Sequence, residues 1–173
     1  MKSLIKTLAF TCSVAIATGL FAFKSIEKPV NFTGTWVLNI EKSELGNAPI
    51  PKTGKSSIKI LQLQPALIME KSLTDSNGKV HAAVDTINFD GKPKTLNVGN
   101  GQQLKRTISQ QWSADQQTMT LASKFSADNN GEPVEFTGTE IWKVSEDGKV
   151  LTIVNETVLP DRTDKLILVY TKQ

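Results

Sequence analysis

From residue 34 onward, apolar and polar residues alternate in short runs broken by turn-forming pairs. In the first run Trp36, Leu38 and Ile40 fall on one side, and Thr35, Val37 and Asn39 on the other. A period of two is the signature of a half-buried strand. The same reading predicts further strands over 57–64, 66–74, 80–89, 94–98, 104–112, 118–126, 135–144, 150–159 and 165–171. Asn77-Gly78, Asp90-Gly91, Asn130-Gly131 and Asp147-Gly148 supply the positive φ angles that tight hairpins require. Residues 42–46 fit a single helical turn ended by Gly46, and 47–55, with Pro49, Pro51 and Gly54, fit a loop. About nine or ten strands in sequential hairpins, with no long helix, predict an all-β fold. The expected form is an antiparallel up-and-down β-barrel, with an open half-barrel or sandwich as the alternative.

The first 23 residues have a different pattern. Lys2 and Lys6 form a basic start, and residues 7–23 carry no charge. This predicts a secretory signal peptide over 1–23, with cleavage after Ala22. A tether at 24–31 and one barrel domain at 32–173 follow. The expected mature protein is exported, periplasmic or secreted, and has no membrane span, because no later apolar run reaches the ~20 residues a spanning helix needs. Cys12, the only cysteine, lies inside the leader. The mature chain is therefore expected to have neither thiol nor disulfide and to depend on its core for stability. Taking Lys2 and Lys6 from the 20 basic residues leaves 18 against 17 acidic ones. The basic residues are scattered, which argues against nucleic acid as a partner. A monomer is expected.

Candidate chemistry is sparse. One histidine and no mature cysteine cannot assemble an N/S metal cluster, so no metal or other cofactor is expected. The acidic turns near Asn77-Gly78 and Asn130-Gly131 lack the spaced ligands of a calcium loop. His81 and Asp85 share a strand face and form the one acid–base pairing the sequence offers. No nucleophile elbow or phosphate loop accompanies it, so no catalytic residues are assigned and an enzyme is not expected.

Polar residues on apolar faces are more informative. Leu104, Arg106, Ile108, Gln110 and Trp112 alternate along one strand, and Val134, Phe136, Gly138, Glu140, Trp142 and Val144 along another. Val150, Thr152, Val154 and Glu156 are taken as the inner face of the next, and Leu166, Leu168 and Tyr170 of the last. Pointing inward, Arg106, Glu140, Glu156 and Tyr170 become interior polar groups, which must be paired or wet. Two readings follow: a ligand site in which Arg106, Tyr170, Trp112 and Glu140 meet a polar head group, or an internal Arg106–Glu140 salt bridge. Trp36 is expected to plug the closed end of the barrel, with Gly34 as its structural companion.

The stretch Phe32-x-Gly34-Thr35-Trp36-x-Leu38-Asn39-x-x-Lys42-Ser43 resembles the opening of secreted bacterial lipocalin-like proteins of uncharacterised function. More distantly the chain is similar to the calycins, the group of lipocalins, fatty-acid-binding proteins and avidins. The resemblance implies a barrel and small-molecule binding. It departs from the fatty-acid-binding proteins in two places. Residues 42–55 are too few for their helical pair, and Leu168-Val169-Tyr170 stands where their Arg-x-Tyr anchor would be. The expected function is therefore non-enzymatic binding of a small apolar or amphipathic ligand inside the barrel. The alternative is an envelope-associated interaction module whose filled barrel acts through its loops.

Overall fold

The computed structural model describes residues 28–46, 55–75, 77–98, 104–129 and 132–173. The expected leader, half of the tether, most of the loop at 47–55, the glycine-rich stretch 99–103 and the Asn130-Gly131 turn lie outside the described residues. The strands are β1 (Gly34–Leu38), β2 (Lys55–Leu63), β3 (Ala66–Thr74), β4 (Val80–Asn88) and β5 (Lys94–Val98), then β6 (Leu104–Trp112), β7 (Thr118–Asn129), β8 (Glu132–Val144), β9 (Val150–Val158) and β10 (Thr163–Lys172). They form one ten-stranded sheet in the order β4-β3-β2-β1-β10-β9-β8-β7-β6-β5. Each ladder is antiparallel, and strands adjacent in sequence are bonded in every case but one. Because β1 pairs with β2 on one edge and with β10 on the other, the meander curls back on itself. The fold is the expected all-β up-and-down architecture, with a single unbonded seam among the described residues, between β4 and β5.

Local chemistry explains where elements end. β1 stops at Leu38, before the Ile40 that the alternating run includes, because Asn39 Oδ1 accepts the Lys42 N–H at 3.1 Å and caps a 3-10 turn over Ile40–Lys42. The helical turn predicted at 42–46 thus begins two residues earlier. Ser43 Oγ donates to the Asn39 carbonyl at 2.6 Å and accepts the Val169 N–H at 2.9 Å, locking this corner onto β10. The hairpin of β7 and β8 is longer than predicted, with its ladder running out to Asn129 opposite Glu132.

One face assignment is corrected. On β9 the inward residues are Leu151, Ile153 and Asn155, and Glu156 is exposed. Both faces of this strand are apolar, so alternation alone does not orient it. The register with β8, which sets Glu140 opposite Asn155 and Trp142 opposite Ile153, decides the matter.

The core fills the lower part of the curled sheet. Phe32 and Trp36 are fully buried, with Leu67, Met69, Met119, Leu121, Trp142 and Leu151 around them. The plug is shared: Phe32 stacks on Trp112 at 5.9 Å and meets Trp142 edge-on at 5.8 Å, while Trp36 Nε1 donates to the Phe32 carbonyl at 2.8 Å. Such edge-on and offset contacts suit the ring quadrupoles. The segment carrying Phe32 is held by Gln62, whose Oε1 accepts the Phe32 N–H at 2.9 Å and whose Nε2 donates to the Val30 carbonyl at 3.2 Å. Phe89, one residue past β4, packs against Trp112 of β6 at 5.8 Å. An aromatic contact therefore bridges the seam where backbone hydrogen bonds do not.

Candidate functional site

Above the aromatic plug the two halves of the curled sheet separate and enclose a cavity of about 400 Å³. One wall is built by β2, β3 and β4, the other by β8, β9 and β10. Trp142 lies between plug and cavity, touching Phe32 below and lining the space above. Ile58, Ile153 and Leu168 add apolar lining. His81, Ala82 and Ala83 of the edge strand β4 line the cavity and are exposed, so the space meets solvent on that side.

The polar groups are placed by register. Glu140 sits two residues before Trp142 on the inner face of β8, directly across from Asn155 on β9. Its carboxylate is held from two directions. Oε1 accepts from Arg106 Nη2 at 3.0 Å, and Oε2 accepts from Trp142 Nε1 at 3.0 Å. Arg106 is only 8% exposed; its Nε donates to Ser123 Oγ at 3.0 Å, and its guanidinium lies 5.5 Å from the centre of the Phe125 ring. Phe125 is itself fixed by parallel stacking on Phe136 at 4.6 Å. A guanidinium given a carboxylate, a hydroxyl and an aromatic face is satisfied from several sides.

Tyr170 reaches the cavity from β10 and shares a side-chain hydrogen bond with Ser56 of β2. Burial, reinforced by the nearby Glu140 carboxylate, pushes its phenol up to about 12. It is therefore a neutral hydroxyl at any physiological pH. Nearer the mouth, Lys71 Nζ lies 3.3 Å from Asp85 Oδ2, and His81 Nε2 lies 3.1 Å from Asp75 Oδ2. The His81 hydrogen bond and the Lys79 N–H hold the Asp75 carboxyl below the usual carboxylate range.

Among the residues singled out from sequence, the structure brings together Glu140 and Tyr170 on the cavity wall, with Arg106 immediately behind Glu140. Trp112 is elsewhere. It lies at the closed end with Phe32 and Phe89, six residues along β6 from Arg106, a strand distance of roughly 20 Å. His81 and Asp85 share a face as expected, but each has another partner: Asp75 for His81 and Lys71 for Asp85. Sequence reasoning missed Asn155, because β9 was oriented the other way round. It also missed Ser56 and Lys71, whose strand neighbours Ile58 and Met69 mark the inner face by alternation.

Comparison with protein-family models and with curated proteins gives no match for this chain. Among solved structures, the chain is similar to that of zebrafish ileal bile acid-binding protein complexed with cholic acid, at 14% identity and a TM-score of 0.47. The match covers 82% of this chain and 98% of the other.

Proposed function

We propose that this protein is an exported, monomeric, non-enzymatic binder that holds one small, largely apolar ligand between the two halves of its barrel. The observation that carries this reading is the cavity of about 400 Å³ above Trp142, which lies in the volume range of small-molecule sites. Its lining combines apolar side chains, Ile58, Trp142, Ile153 and Leu168 among them, with a comparable number of polar ones, so an occupant meets both apolar surface and fixed hydrogen-bonding groups. Export rests on the basic start and uncharged run of residues 1–23. N-terminal sequencing from the native host should find a chain beginning near Phe23; an intact Met1 would overturn export.

Binding is tested with the neutral fluorescent probe N-phenyl-1-naphthylamine. It should bind one molecule per chain, and Leu168→Trp, which fills the cavity, should abolish the signal while leaving the circular dichroism spectrum intact. Absence of binding, or binding untouched by Leu168→Trp, would overturn the cavity reading. It would also return the filled-barrel interaction module to first place.

A further inference from the structure

Among the described residues, the basic side chains Arg106, Lys71 and His81, at or just behind the cavity wall, each have a carboxylate partner. Arg106 is joined to Glu140 at 3.0 Å, Lys71 to Asp85 at 3.3 Å and His81 to Asp75 at 3.1 Å. The most deeply buried of them, Arg106, stands behind Glu140 and does not line the space. What the inner wall presents to an occupant is thus a carboxylate, Glu140, and a phenol, Tyr170, beside Asn155 and Ser56.

This arrangement selects against an acid. A ligand carboxylate at that level would lie beside Glu140, a carboxylate with only 15% of its side chain exposed, where like charges repel more strongly than in open water. The cation at that level, Arg106, is nearly buried and held by Glu140, and a buried charge deprived of its partner is costly. A hydroxyl meets the opposite situation. It can accept from the Tyr170 O–H and donate to a Glu140 oxygen, whose two atoms each hold one donor so far and have lone pairs to spare. The phenol stays protonated well above neutral pH, so the donor is always present.

We infer that the occupant is an uncharged amphiphile whose hydroxyl sits between Tyr170 and Glu140, with its apolar body against Trp142, Ile153 and Leu168. This rests on the cavity reading above and gives it a ligand class. Arg106 is then a positioning residue: it fixes the Glu140 carboxylate and does not contact the ligand.

The test is displacement of bound N-phenyl-1-naphthylamine at neutral pH by two probes of equal chain length, decan-1-ol and decanoate. Decan-1-ol should displace the naphthylamine at a concentration about tenfold or more below that of decanoate, the discrimination one well-placed hydrogen bond supplies. Tyr170→Phe keeps the ring volume and removes the donor; it should cost decan-1-ol about tenfold and leave decanoate unchanged. Glu140→Gln should narrow the gap from the other side by strengthening decanoate, since it removes the repelling charge and releases Arg106. Circular dichroism confirms that each variant is folded before its data are read. Decanoate equal to or better than decan-1-ol would overturn the assignment, as would a preference unchanged in both variants. Bound naphthylamine that neither probe displaces would also overturn it while leaving the cavity reading intact. Failure of the naphthylamine itself to bind would overturn both.

Discussion

Arg106 and Glu140 show how a single side chain is assigned by its surroundings. Each is nearly buried, with 10% and 15% of its side chain exposed, and they satisfy one another at 3.0 Å. Replacing only Arg106 with Met should strand the carboxylate and cost about 3–5 kcal/mol of unfolding free energy in urea titrations. Adding Glu140→Gln to that variant should recover most of the loss, because no charge is then left unpaired. Tyr170 gives a pH-dependent counterpart. Its folded pKa of about 12 lies above the ordinary value of 10. Its contribution is therefore fully present below pH 10 and lost as pH rises from about 10 to 12, by about 2–3 kcal/mol. The wild type should lose that much more stability over this window than Tyr170→Phe. Tyr170 is the only tyrosine in the chain, so its tyrosinate absorbance can be followed directly during alkaline titration. A midpoint near 10 would place it in solvent instead of the barrel interior.

At the scale of the element, the Gly-x-Trp opening of β1 has a geometric reason. Lys172 of β10 pairs opposite Trp36 and carries its ammonium over the indole, 5.1 Å from the ring centre. A Cβ on Gly34 would fall 2.6 Å from Lys172 Cε, and Gly34 sits at φ +152°. Gly34→Ala should cost about 1–2 kcal/mol, through strained backbone and displacement of the lysine from the ring. Trp36→Ala, which empties a fully buried site, should cost more, about 3–5 kcal/mol. Equal losses in chemical denaturation would mean that the glycine is needed for something other than this contact. The motif reaches past the end of the strand: the Asn39 N–H donates to the Val169 carbonyl at 2.8 Å and Ser43 Oγ accepts the Val169 N–H at 2.9 Å, tying the chain to β10. A pattern legible as a few residues in sequence is a set of contacts between the first strand and the last.

At the scale of the whole molecule, the seam between β4 and β5 sets the order in which the sheet opens. Ladders join every other neighbouring pair, and β4 and β5 each have one bonded side. Both cavity-lining exposed residues and the exposed Val80 and Val84 lie on β4. Hydrogen exchange should therefore be fastest along β4 and β5 and slowest in β1, β9 and β10, where both sides are paired and the core is deepest. Uniform protection around the barrel would mean that the seam is closed in solution.

Alternation and turn chemistry were enough to place all ten strands and their antiparallel order, because both signals are local: a period of two marks a half-buried strand, and Asn-Gly or Asp-Gly marks a hairpin. The inward side of Arg106, Glu140 and Tyr170 was legible for the same reason: Leu104 and Ile108 flank Arg106 two positions away, Trp142 follows Glu140 and Leu168 precedes Tyr170. Where both faces of a strand are apolar, as on β9, the local signal vanishes, and only pairing with β8 turned Asn155 inward and Glu156 out. Partner choice was legible only as an alternative for Arg106, whose pairing with Glu140, 34 residues away, stood beside a ligand reading, and not at all for Phe32, 30 residues from the Gln62 that clamps it. Such contacts depend on where the curled sheet brings distant strands, so the Gln62 clamp on Phe32 and the cavity between plug and rim were decided by tertiary structure alone.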